Sequence, residues 1–323
     1  MILVAGSANL DFVVRAPHIP APGETVMGRD FQTFPGGKGA NQAVACARAG
    51  GAPTHMLLAL GSDVYATPLE ASLQQAGVGL HIKRSSDQPT GTAFICVSDD
   101  AENAITVAPG ANATLGPEDL PTLQGVTHLL MQLEIPVESV TAYALAARAQ
   151  GVQVVLNAAP ACPLPAELLA AVDILIVNEG ELALMAAHQG TVKACLERLQ
   201  VPCVVVTLGH HGCCARRGSD FFFVPAFEVQ PLDTTGAGDT FCGALVAALC
   251  QGDPLAQALV HASAAGALAC TQLGAQSSIP TRAEVAAFMQ QQQPSDQDPD
   301  PGQAKRQALR HFCGFPTQET PSP

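Results

Sequence analysis

The chain has 323 residues, of which 48% are hydrophobic and only 13% charged, enough to bury the core of one large α/β domain or two small ones. Its net charge of −13, its lack of tryptophan and its two tyrosines argue against a nucleic-acid partner, which would want basic patches and stacking rings. The opening apolar run, Ile2 to Ala5, has no basic region before it and is too short for a signal peptide or a membrane span, so no membrane partner is expected.

That run reads as a first buried strand, ending at Ser7-Ala8-Asn9-Leu10-Asp11. Strand ends in α/β sheets face ligand crevices, which makes Asn9 and Asp11 candidates for holding a polyol; an Asn/Asp turn is the competing reading. From Phe12 to Phe34, short β-like pieces (Phe12-Val13-Val14 and Thr25-Val26-Met27) are broken by Pro17, Pro20, Pro22 and Gly23. They are too interrupted for a main sheet. Gly36-Gly37-Lys38-Gly39-Ala40-Asn41 then opens a helix that runs to about Ala49 and stops at Gly50-Gly51. It is not a Walker A loop, because glycine follows Lys38, and it is not a dinucleotide fingerprint. Its glycines would let the backbone close on a small hydroxylated ligand, with Lys38 and Asn41 donating.

The middle of the chain alternates as a doubly wound sheet does. Candidate strands are His55 to Leu60, Thr127 to Leu133, Val152 to Leu156, Asp173 to Val177 and Cys203 to Leu208. Helical runs lie at Pro68 to Ala76, Val137 to Gln150, Pro165 to Ala171, Glu181 to Ala187 and Val192 to Leu199. The strands are nearly continuous apolar runs, as expected when both faces are covered. Thr92 to Val97 and Asn103 to Val107 read as a separate hairpin. Polar residues follow several strands: Glu134, Asn157, Asn178 with Glu181, and Thr207 with Gly209 and Gly212. Each also suits a strand-end turn or a helix cap, and Asn157 is assigned that way. The eleven cysteines contain no Cys-x-x-Cys pair, and most sit in apolar runs, which fits a reducing cytosol. The Asn112-Ala113-Thr114 sequon is read as chance.

The stretch Asp233-Thr234-Thr235-Gly236-Ala237-Gly238-Asp239-Thr240-Phe241 precedes an alanine- and leucine-rich run. Phe241, Leu245, Ala248 and Leu249 recur at helical spacing, so a helix is predicted to start near Thr235. Glycines are poor helix formers, but unpaired N–H groups at a helix start attract anions, and missing side chains let a phosphoryl oxygen reach them. Asp239, one turn inside, could then take a proton from an attacking hydroxyl. A Gly-rich loop before a core helix is the competing reading. A second helix is predicted from Pro254 to about Thr271, then a turn from Gln272 to Ser278 and a last helix from Thr281 to about Gln290. Residues 291–323 begin as a low-complexity run and are expected to be disordered or variable, without a catalytic part, with a short turn of helix from Lys305 to Phe312 as the alternative for that stretch.

The Phe34–Ala43 and Asp233–Phe241 segments, in this order and at these positions, resemble the two signatures of the ribokinase-like family of carbohydrate kinases. The resemblance covers about residues 1–290. It implies a doubly wound, mostly parallel sheet flanked by helices, with a small β-sheet lid from about 12–34 and 90–107 that a second subunit covers in a homodimer. It implies transfer of phosphate from ATP to the primary hydroxyl of D-ribose. Deoxyribose, fructose and pseudouridine are the alternatives within the family, and a catalytically silent sugar binder is the alternative outside it. By resemblance, Asp239 is the base and the amides of Gly236, Ala237 and Gly238 form the anion hole. The sugar falls to Asn9, Asp11, Gly37, Lys38, Asn41, Glu134 and Asp239. Asn178 and Glu181 match a third signature at the phosphate end of ATP, where a glutamate suits hydrated Mg²⁺. Thr207, Gly209, Gly212 and Gly238 line the nucleotide, with Ser263 near adenine. An activating K⁺ is implied among Asp233, the carbonyls of Thr235, Ala269, Gln272 and Gly274, and Ser278. A nicotinamide-dependent dehydrogenase would need a Gly-x-Gly-x-x-Gly turn after the first strand, which is missing.

Overall fold

Ile2–Ala5 is apolar at every position because the strand it forms, β1, is covered on both faces. The computed structural model describes residues 1–100, 102–292 and 301–316. After β1 come strands β2 (Asn9–Ala16) and β3 (Arg29–Gly36), helix α1 (Lys38–Arg48), strand β4 (Thr54–Gly61) and helix α2 (Ala66–Gln75). Strands β5 (Gly79–Ser85), β6 (Gly91–Ser98), β7 (Asn103–Ala108) and β8 (His128–Met131) follow. The alternation continues through α3 (Val137–Ala149), β9 (Gln153–Asn157), α4 (Ala166–Ala171), β10 (Ile174–Asn178), α5 (Glu179–Met185), α6 (Val192–Leu196) and β11 (Cys203–Thr207). A hairpin, β12 (Gly212–Arg217) and β13 (Asp220–Pro225), precedes helices α7 (Ala237–Cys250), α8 (Leu255–Ala269), α9 (Arg282–Gln291) and α10 (Pro301–Phe312).

Nine strands form one sheet in the order β13-β12-β11-β10-β9-β8-β1-β4-β5, and four form a second in the order β3-β2-β6-β7. The large sheet is parallel from β11 to β5, with the antiparallel hairpin β12–β13 at one edge. Alternation along β1 sends side chains to opposite layers. Ile2 and Val4 join Val44, Leu245, Leu259 and Val285 beneath α1, α7, α8 and α9. Leu3 and Ala5 join Val140, Leu168, Leu182 and Leu196 beneath α3 to α6. Strand β1 pairs with β4 on one side and β8 on the other, so the strand order reverses there, and ligands of open α/β sheets gather at such points.

Several expectations need correction. Asn9 and Asp11 sit not in a turn but at the start of β2, the strand that leads from the large sheet into the small one. Thr25-Val26-Met27 forms no strand: prolines precede it, the segment has no partner, and Met27 lies in solvent. Strands β5 and β12–β13 were not foreseen, since β5 carries His81, Lys83 and Arg84, and glycines break up the hairpin's apolar run. Helix α7 starts at Ala237 rather than Thr235, because Gly236 adopts the left-handed conformation (φ 73°) just before it. The tail also departs from expectation. Residues 293–300 and 317–323 lie outside the described residues, but 301–312 form helix α10, whose end seats Leu309, Cys313 and Phe315 in the core.

Candidate active site

Three elements meet at the carboxyl ends of β1 and β8. The α1 N-terminus can lie against the β1–β2 connection only because side chains are missing there. A Cβ on Gly37 (φ +90°) would stand 2.7 Å from the Asn9 nitrogen, and one on Gly39 would stand 2.6 Å from the Ser7 nitrogen. These glycines thus allow close contact between backbones, a second reason for glycine beside the ligand contact expected of Gly37. The Ser7 hydroxyl donates to Glu134 Oε2 at 2.5 Å, and the Lys38 amide donates to the same oxygen at 3.1 Å, so Glu134 holds the start of α1 to the β1–β2 connection.

Around this joint, the predicted sugar-binding side chains converge. Asn9, Asp11, Asn41 and Asp239 are all buried. Asn112 Nδ2 donates to Asn9 Oδ1 at 2.8 Å, and the Ala8 amide donates to Asn112 Oδ1 at 3.0 Å. Asn112 therefore orients Asn9. At 1% exposure its amide is no glycan acceptor, in line with the reading of its sequon as chance. Burial, then the charges of Glu134 and Asp239, push Asp11 up to about 7. Lys38 is raised above the usual ammonium range, chiefly by Asp239 and against the effect of its own burial, with help from Glu134 and Glu181. The centre thus gathers four carboxyl groups near one half-buried cation.

Asp239, in the first turn of α7, is held at both oxygens: Asn41 Nδ2 donates to Oδ2 and Gln42 Nε2 to Oδ1, each at 2.9 Å. Gln42 Nε2 also donates to Asn157 Oδ1 at 3.0 Å, Gln42 Oε1 accepts from Gln132 Nε2 at 2.6 Å, and Asn157 Nδ2 donates to the Ile176 carbonyl at 3.1 Å. Asn157, assigned by sequence to a turn or cap, is therefore part of a buried amide network beneath Asp239. Gln42 falls within the Phe34–Ala43 segment, but nothing in the sequence distinguishes its amide, or that of Gln132, from any surface glutamine. Asn41 Oδ1 is buried without a hydrogen-bond partner, an acceptor that a ligand hydroxyl would satisfy.

Beside Asp239, a Cβ on Gly238 would meet nothing within 4 Å, so neither packing nor a positive φ calls for glycine there. Its bare amide, in the first helical turn, has no helical carbonyl behind it to bond. The Ala237 amide instead turns back to the Thr234 carbonyl at 3.2 Å, which takes it out of the predicted trio. Gly238 lines a cleft of about 910 Å³ together with Thr207, Gly209, Gly212 and Ser263, so the five predicted nucleotide contacts outside the Asn178–Glu181 motif share one cavity. Gly212 has its own backbone reason: at φ +109° a Cβ would meet the Val224 carbonyl at 2.1 Å. Asn178 and Glu181 do not line the cleft. They form a capping box on α5, Asn178 N–H to Glu181 Oε2 and Glu181 N–H to Asn178 Oδ1, both 2.8 Å. Burial nevertheless raises Glu181 above the usual carboxylate range, with Lys38 opposing the shift, so it also faces the charged centre.

The predicted K⁺ ligands meet in part. Asp233 accepts from the Thr235 amide through Oδ1 and from the Gly274 amide through Oδ2, each at 2.9 Å, which ties the two loops together. The Gln272 amide donates to the Ala269 carbonyl at 3.3 Å. Ser278 turns its hydroxyl to the Ala275 carbonyl at 2.9 Å rather than towards Asp233. The donor atoms are all oxygens, mostly carbonyls with one carboxylate, a set that fits a monovalent cation.

Comparison with known proteins agrees with this geometry. The profile of the pfkB family of carbohydrate kinases matches residues 1–282. A ribokinase from Haemophilus influenzae is 40% identical over 303 residues, covering 90% of this chain and 98% of the relative. A ribokinase from Bacillus subtilis is 38% identical over 293 residues, 89% of this chain and 99% of the relative. Among solved structures, ribokinase from Arabidopsis thaliana complexed with ribose and ATP superposes with a TM-score of 0.82 at 32% identity, covering 89% of this chain and 98% of that one. Ribokinase from Thermotoga maritima gives 0.81 at 36%, covering 90% and 99%.

Proposed function

The chain belongs to the pfkB family of carbohydrate kinases and catalyses ATP-dependent phosphorylation of ribose; we propose that it does so with Asp239 as general base at the meeting of two pockets. The sugar would lie among Asn9, Asp11, Lys38, Asn41 and Glu134, with a hydroxyl donating to the unpartnered Asn41 Oδ1. The polyphosphate would lie along the cleft toward Gly236 and Gly238. Asp239 takes the proton of the attacking primary hydroxyl, while the two glycyl amides and the start of α7 stabilise charge on the phosphoryl group in flight. Lys38 offsets the carboxylate charge that would otherwise repel ATP. The observation that carries this reading is Gly238, a glycine that neither packing nor backbone conformation requires, next to a carboxylate locked at both oxygens.

Glu181, through water, and Asn178 would hold Mg²⁺, which supplies charge neutralisation at the phosphates. K⁺ would sit against Asp233 and the neighbouring carbonyls, stiffening the loop before α7. The proposed assembly is a homodimer, and the small sheet supports it. Val13, Ile95 and Ile105 align across β2, β6 and β7, with Ile105 54% exposed and Val107 42% exposed on the same face. Such an apolar face calls for cover, and a second copy would supply it. The setting would be the cytosol, where buried thiols such as Cys46 and Cys242 stay reduced. No helix among the described residues is long and apolar enough to cross a membrane.

The test is a coupled assay with ATP across ribose, deoxyribose, fructose and pseudouridine, with and without K⁺. Ribose should give the highest kcat/KM, and K⁺ should raise it. A higher kcat/KM on any of the other three would overturn the substrate assignment.

A further inference from the structure

Helix α10 lies beyond residues 1–282, where the family match ends, and its sequence gave no reason to expect a role. Yet Lys305, Leu309 and Phe312 line the same cleft as Gly238 and Ser263. We propose that α10 is a wall of the nucleotide site and that Phe312 is a specificity-determining contact for the base of ATP. The inference rests on the reading of that cleft as the nucleotide site.

Three observations carry it. A purine needs flat apolar contact on its faces, and the cleft has two surfaces suited to that. One is the small-residue stripe Ser263, Gly266, Ala267 and Cys270, which recurs at helical spacing along α8 and its cap and leaves a slot without bulk. The other is aromatic: the Phe312 ring stacks on His211 with centroids 4.0 Å apart and planes 30° apart, and His211 in turn lies 4.0 Å from His210. In a chain with 4% aromatic residues, this cluster at the cleft rim stands out. Second, α10 is held in place by the protein's own contacts. Leu309, Cys313 and Phe315 are buried; Phe315 packs edge-on against Phe221 and Phe223; and the Lys193 amide donates to the Cys313 carbonyl at 2.9 Å. Lys305 reaches Glu228 on the segment after β13 at 2.7 Å, so the helix and that segment meet beside the cleft. Third, Phe312 is not needed for that seating. It remains 39% exposed while its neighbours do the burying, so its ring is available to a ligand.

The experiment is steady-state kinetics on Phe312→Ala, Phe312→Tyr and Ser263→Phe in the full chain, with ATP and ribose varied separately. Base stacking on an aromatic ring predicts that Phe312→Ala raises the KM for ATP about tenfold, with kcat and the KM for ribose within about twofold of the parent. Phe312→Tyr should restore the KM, and preference for ATP over CTP, whose single ring stacks less, should shrink in Phe312→Ala alone. Ser263→Phe fills the slot from α8 and should raise the KM for ATP whether or not α10 takes part. If Ser263→Phe raises it and Phe312→Ala does not, α10 is only a cover for the β13 phenylalanines and the proposal fails. Should neither variant change it, the cleft is not the nucleotide site and both readings fall. A parallel rise in the KM for ribose, or a drop in melting temperature that Phe312→Tyr also shows, would mark Phe312 as structural and refute the inference.

Discussion

Replacing Asp239 with asparagine separates chemistry from structure at this site. Asp239 accepts from Asn41 Nδ2 and from Gln42 Nε2, so an amide in its place turns one of those contacts into donor against donor. Gln42 cannot adjust, because its nitrogen is shared with Asn157 and its oxygen is taken by Gln132. Asn41 can, because its Oδ1 has no partner; rotated by half a turn, it accepts from the new amide. The network therefore survives with two charge-assisted bonds reduced to neutral ones, while the lost attraction to Lys38 offsets the relief of repulsion with Asp11, a net cost of about 1–2 kcal/mol. For a domain of this size that is a fall of about 2–3 °C in Tm. Removing a positioned general base costs about 10²- to 10⁴-fold in rate. Asp239→Asn should thus lose at least about a hundredfold in kcat while calorimetry still detects ribose binding. If kcat stays within about fivefold of the parent, Asp239 is not the base. A Tm drop beyond about 15 °C would show that Asn41 does not rotate and that the network has been misread.

Further predictions concern charge and assembly. The Asp11 carboxyl is raised from 3.8 to about 7 in the folded chain, so between those values the native state holds a proton that the unfolded chain has released. Its effect on stability is favourable below about pH 4 and is lost as pH rises toward 7, by ~4 kcal/mol in all. Asp11→Asn should remove that slope, raising Tm at pH 8 while raising the KM for ribose; a lower Tm than the parent at pH 8 would contradict the burial argument. Asp233→Ala removes the acceptor for both the Thr235 and Gly274 amides, costs about 2 kcal/mol, and should abolish the rate difference between KCl and tetramethylammonium chloride. Retained K⁺ activation would place the ion elsewhere. Ile105→Lys puts a charge on the exposed apolar row of the small sheet and should yield a monomer by light scattering; an unchanged dimer would move the interface off that face.

Much of this was legible without coordinates. The two glycine-bearing motifs were readable because a helix start and its first-turn carboxylate lie within a few consecutive residues. The parallel strands were readable because burial on both faces leaves unbroken apolar runs. The amide network was not: Gln42 bonds Asp239 across 197 positions, and Gln132 bonds Gln42 across 90, distances over which composition and periodicity say nothing. The same holds for Asn112, which a sequon obscured, and for the backbone that packs against Gly37 and Gly39. Sequence by itself determined which local chemistry the chain can perform, because anion-binding turns, strand alternation and helix stripes are properties of neighbouring residues. Only the tertiary structure decided which charges share the site, why Asp11 holds its proton to about 7 and that α10 borders the same cleft as Gly238. Burial and long-range contact are set by where the elements pack, and no short stretch of sequence contains that information.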